Sequence, residues 1–108
     1  MNYKAEYEKA INKKKEIAEY NLKFSQPIKK ELVENGFVFD NDESTYNFEF
    51  DKDSIFIVRF YDNFIHLECF DKRRFENPHY IVPKFIKYSE HSIQEINKVF
   101  KKCLDKVV

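Results

Sequence analysis

Apolar side chains recur every three or four positions from the N-terminus to about residue 24. Tyr3, Tyr7, Ala10, Ile11, Ile17, Ala18, Leu22 and Phe24 share one helical face, leaving Lys13, Lys15, Glu16 and Glu19 largely on the other. Lys14 interrupts the stripe. Ser25 can cap a second, shorter helix carrying Ile28, Leu32 and Val33, with Pro27 tolerated in its first turn. Asn35-Gly36 ends that helix. Gly36 is the expected left-handed residue just past the helix, with Phe37 folding back against Leu32.

From Phe37 the period changes to two. Phe37 and Phe39 alternate with Val38, and the turn residues Asn41-Asp42-Glu43-Ser44 follow. Next comes a strand with Tyr46, Phe48 and Phe50 on one face and Thr45, Asn47 and Glu49 on the other. Asp51-Lys52-Asp53-Ser54 is a second turn. Ile55 to Tyr61 is apolar on nearly both faces, as a central strand requires. Asp62-Asn63 predicts a two-residue hairpin turn with positive φ, and Phe64 to Phe70 is the strand beyond it.

A two-residue turn fixes the register. Tyr61 pairs with Phe64, so Phe60 meets Ile65, Val58 meets Leu67 and Phe56 meets Cys69. The opposite face pairs Arg59 with His66, Ile57 with Glu68 and Ile55 with Phe70. An odd-numbered loop at 51–54 is expected, because it gathers Tyr46, Phe48 and Phe50 onto the apolar face. Beyond the sheet, Asn77-Pro78 reads as a turn, and residues 79–82 as a short edge strand before Pro83 or none. Ser92-Ile93-Gln94-Glu95 is a capping box, and Ile93, Ile96, Phe100, Cys103 and Val107 continue the last helix. The expected fold is α+β: N-terminal helices, a four-stranded antiparallel meander, and a C-terminal amphipathic helix on one sheet face.

The length of 108 residues suits one domain spanning 1–108, and no repeat or linker divides it. Twelve Phe and seven Tyr are incompatible with a disordered tail. No apolar run is long enough for a membrane helix, and the N-terminal segment lacks the apolar core of a signal peptide. One glycine excludes the phosphate loops of nucleotide-binding folds, which need several. Cys69 and Cys103 both fall on apolar faces, as buried thiols in a reducing cytoplasm would.

A net charge of zero conceals an asymmetry. Residues 1–30 carry +4, residues 31–71 carry −9, and residues 72–108 carry +5. Asp40, Asp42, Ser44 and Asp51 have calcium-loop spacing, but Thr45 stands where that loop needs glycine. The three histidines and two cysteines show no zinc-ligand spacing, so neither a metal nor a cofactor is expected.

Three surfaces remain. Arg59, His66 and Glu68 share a sheet face and offer the acid, base and phosphate clamp of metal-free RNA cleavage. By residue type, though by no motif, the trio resembles small microbial ribonucleases. The same face carries Tyr61, Phe64, Ile55 and Phe70, and Lys72-Arg73-Arg74 stands at the strand exit, a combination suited to stacking and gripping single-stranded RNA. Lysines of the first and last helices could add to such a module. The charge of −9 on residues 31–71 opposes that docking. The favoured surface is the acidic hairpin edge of Asp40, Asp42, Glu43, Glu49, Asp51 and Asp53, beside aromatic rings. It suits a basic protein partner, with charge steering the encounter and rings supplying contact. In size, glycine poverty and expected α+β architecture the chain resembles toxin-immunity proteins and phage-borne inhibitors of bacterial defence. The expectation is a non-enzymatic cytoplasmic inhibitor or immunity factor.

Overall fold

The computed structural model describes residues 1–73 and 79–107. In chain order it contains α1 (Tyr3–Glu34), β1 (Val38–Asp40), β2 (Thr45–Glu49), β3 (Ser54–Phe60), β4 (Ile65–Asp71), β5 (His79–Ile86) and α2 (Ser92–Val107). The architecture is α+β, and its helix and strand counts both depart from the sequence reading.

The N-terminal helices are one helix of 32 residues. Asn2 caps it, its Oδ1 accepting from the Ala5 N–H at 3.1 Å. Ser25 caps no new start; its hydroxyl donates to the Leu22 carbonyl at 3.1 Å, within the same helix. Pro27 removes one helical hydrogen bond, but Ile28 and Leu32 beyond it are anchored in the core and carry the helix through. The helix ends as expected. Phe37 N–H donates to the Leu32 carbonyl at 2.9 Å and Gly36 N–H to that of Val33 at 3.2 Å, with Gly36 at φ +101°.

Among the described residues the meander has five antiparallel strands rather than four, in the order β1-β2-β3-β4-β5. The fifth, β5, runs through Pro83 to Ile86. An edge strand tolerates proline because one side of its backbone has no ladder to complete. The Asn77-Pro78 turn lies outside the described residues.

The β3–β4 register is the expected one, with Phe60 opposite Ile65, Arg59 opposite His66, and Phe56 opposite Cys69. In the β2–β3 pair Tyr46 meets Val58 and Phe48 meets Phe56, so the intervening loop is odd. Phe50 N–H closes it onto the Ser54 carbonyl at 3.0 Å. The Asp62-Asn63 turn differs in kind from the prediction. Only Ser44 among the described non-glycine residues has positive φ, so this turn lacks the mirror-image conformation of a type I′ hairpin. Tertiary bonds hold it instead: Asn21 donates its amide N–H to the Asp62 carbonyl, and the Tyr88 hydroxyl donates to that of Tyr61. Burial pushes the Tyr88 pKa up to about 12, which keeps the hydroxyl a donor.

Both helices contribute to one core. Ile28 and Leu32 of α1 and Ile96, Val99 and Cys103 of α2 join Phe56, Val58, Ile65, Leu67 and Cys69 of the sheet. Phe100 of α2 sits amid Phe37, Phe48, Phe50 and Phe56, with ring centroids 5.2–6.1 Å away. Ser92 begins α2, but its hydroxyl donates to the Lys87 carbonyl and accepts from the Ser89 N–H, each at 2.8 Å, which departs from the capping-box pattern.

Candidate functional site

The alternation that sends Phe48 and Phe56 inward sends Val38, Asp40, Asn47, Glu49, Ile55 and Ile57 to the opposite face of the sheet. Val38, Asp40, Asn47, Glu49 and Ile55, together with Phe39 and Asp42, line a groove of about 740 Å³ at the β1 edge. Val38 and Phe39 are exposed large apolar side chains. Asn47 Oδ1 is buried with no hydrogen-bond partner among the described residues, an unpaired acceptor that water or a ligand donor would stabilise. Three carboxylates therefore meet an apolar floor in one concavity.

The six acids of the expected edge do different work. Asp40 Oδ1 accepts from the N–H groups of Asp42 and Glu43 at 3.0 and 3.2 Å, shaping the β1–β2 turn. Asp51 Oδ1 accepts from Asp53 N–H, Ser54 N–H and the Ser54 hydroxyl at 2.8–2.9 Å. The Ser54 hydroxyl first, and then the Asp53 N–H, lower the Asp51 pKa. Asp42, Glu43 and Glu49 are exposed, and Asp53 is half-buried. Since β2 separates the two turns, Asp40, Asp42 and Glu43 lie at one end of the edge and Asp51 and Asp53 at the other, with Glu49 between. The strand between Ser44 and Asp51 gives these residues a different shape from a calcium loop.

Arg73, the expected phosphate grip, turns back on the sheet. Its Nε lies 3.0 Å from Asp71 Oδ1 and its guanidinium 3.6 Å from Asp51 Oδ2. Asp71 is fully buried, so this pairing closes the sheet end rather than offering a free cation. Arg74 lies outside the described residues.

Arg59 and His66 are cross-strand neighbours, and Glu68 is two positions farther along β4 on the same face. His66 is only 9% exposed, because Phe85 of β5 stands opposite it with ring centroids 4.9 Å apart. Burial, the larger effect, lowers the His66 pKa and outweighs the pull of Glu68. A neutral, covered imidazole is poorly placed to donate a proton to a leaving group. Tyr61 pairs with Phe64 at 4.8 Å, and Phe64 with Phe85 at 5.1 Å, so these rings spend part of their surface on one another.

Cys69 and Cys103 are buried free thiols hydrogen-bonded to each other in the core. The Cys69 contact and burial push the Cys103 pKa up, holding that thiol protonated. Among the described residues no helix is long and apolar enough to cross a membrane.

Phe85 and Val38 are the surface residues whose roles sequence reasoning missed, while Ile55 was placed on the outer face but not in the groove. Ending the last strand at Pro83 hid Phe85, whereas continuing the alternation across β5 would have found it. Compared with protein-family models, curated proteins and solved structures, the chain matches none.

Proposed function

We propose that the protein works by binding a basic segment of another protein in the groove at the β1 edge, as an inhibitor or immunity-type factor without catalysis of its own. The supporting observation is the meeting of Asp40, Asp42 and Glu49 with Val38, Phe39 and Ile55 around one groove of about 740 Å³. Carboxylates there draw in Lys or Arg, and the apolar floor supplies contact area that charge alone does not. The short β1 edge, three residues long, favours side-chain recognition over addition of a long strand.

The test is affinity capture from the native host by the wild-type chain and by a variant carrying Asp42→Asn, Glu43→Gln, Glu49→Gln and Asp53→Asn. These four spare the carboxylates of Asp40 and Asp51, which hold the turns. One basic protein, captured in stoichiometric amount by the wild type and lost by the variant, is the expected result. Equal capture by both chains would overturn the acidic-edge reading. Recovery of mixed RNA would instead favour the aromatic face around Arg59, Tyr61 and Phe64, a cytoplasmic RNA-binding module.

A further inference from the structure

The first five turns of α1 leave the domain body. Residues 3–20 are exposed apart from half-buried Ile11 and Ala18, and the first buried residue of the helix is Asn21. The molecule measures 56 × 32 × 25 Å, and a helix of this length alone spans about 48 Å at 1.5 Å per residue. The projecting arm is nonetheless amphipathic. Tyr3, Tyr7, Ala10, Ile11, Ile17 and Ala18 continue the line that Ile28 and Leu32 form on the sheet. A short helix with an uncovered apolar stripe is marginal in water, because helices in proteins draw most of their stability from burying such a face.

We propose that this arm pairs with the same arm of a second copy of the chain, antiparallel, about a two-fold axis near Ala10 and Ile11. The charges select that partner and that direction. At 100° per residue, Glu6 and Lys13 flank one side of the stripe, and Glu8 and Lys15 flank the other. An antiparallel partner brings Glu6 toward Lys13 and Glu8 toward Lys15, each twice by symmetry. A parallel partner sets Lys13, Lys14 and Lys15 against their own copies. The stripe is self-complementary in shape as well. Ala10 at the centre lets the backbones approach, the Tyr3 ring falls level with small Ala18, and Lys14 falls level with the Tyr7 ring, where a cation–π contact replaces water. This register ends before Asn21, so each arm stops short of the other copy's body.

Sedimentation equilibrium of the full chain over a concentration series tests the pairing. The wild type should show a monomer–dimer equilibrium. Glu6→Lys with Glu8→Lys should weaken it by roughly tenfold or more, and adding Lys13→Glu with Lys15→Glu should restore it. All four sites are exposed, so circular dichroism and the melting temperature should change little. A chain that stays monomeric at every concentration overturns the proposal. So does a dimer indifferent to the first charge reversal, or one that the second fails to rescue.

Discussion

A methyl group on Gly36 would have to accept φ +101° and lie 3.3 Å from the Phe48 ring. An L-residue in that region costs about 1–3 kcal/mol, before the ring moves. Gly36→Ala should therefore lower the urea midpoint with little change in slope, and an unchanged midpoint would place the helix stop elsewhere. This residue was legible because one glycine after an amphipathic run has few other uses. His66 was legible in register but not in burial, since Phe85 covers it from a strand that the sequence reading ended early. The consequence is a pH effect of definite sign. Burial lowers the folded pKa of His66 below its ordinary 6.5, so the unfolded chain takes up the proton more readily. Its contribution to stability is complete above 6.5 and is lost as the pH falls from there through the folded value. Replacing it, His66→Gln, should flatten the stability profile just below 6.5; an equally steep profile would assign that acid sensitivity to other groups.

The elements divide according to whether local pattern or tertiary contact decides them. The β3–β4 register could be read off because a slip of one residue would turn Val58 and Leu67 to the outer face. The odd loop after β2 followed from the same demand on Tyr46 and Phe48. Pro27 and Pro83 share a reason for their departures: local rules place proline at an element's boundary, a helix start for Pro27 and a strand end for Pro83, whereas a core-anchored helix and an edge strand run past it. The Asp62-Asn63 turn likewise takes its shape from distant partners, Asn21 on α1 and Tyr88 after β5. Asn21→Ala should cost about 1 kcal/mol through loss of the bond to the Asp62 carbonyl. Amide exchange should quicken in that variant at Tyr61, whose N–H donates to the Phe64 carbonyl across the turn. Exchange unchanged there would mean that the Tyr88 hydroxyl alone holds the turn.

Across the whole molecule, the charge asymmetry in the sequence becomes a division of surfaces. The acidic middle segment builds β1 to β4 and the β1 edge, while the lysine-rich ends supply most of α1, the opposite edge strand β5 and α2. The six acids were legible as a group but not in their separate roles, because turn hydrogen bonds of Asp40 and Asp51 depend on backbone geometry. The groove itself was illegible, since it needs Gly36, Asn47 and Ile55 brought together from three parts of the chain. Occupancy of the groove by a basic segment can be read residue by residue in one titration. A peptide of alternating lysine and isoleucine, added to the ¹⁵N-labelled chain, should shift amide resonances at Val38–Asp42, Asn47–Glu49 and Ile55, with an affinity that falls as salt rises. Shifts centred on Tyr61, Phe64 and Phe85, or no shifts at all, would contradict it.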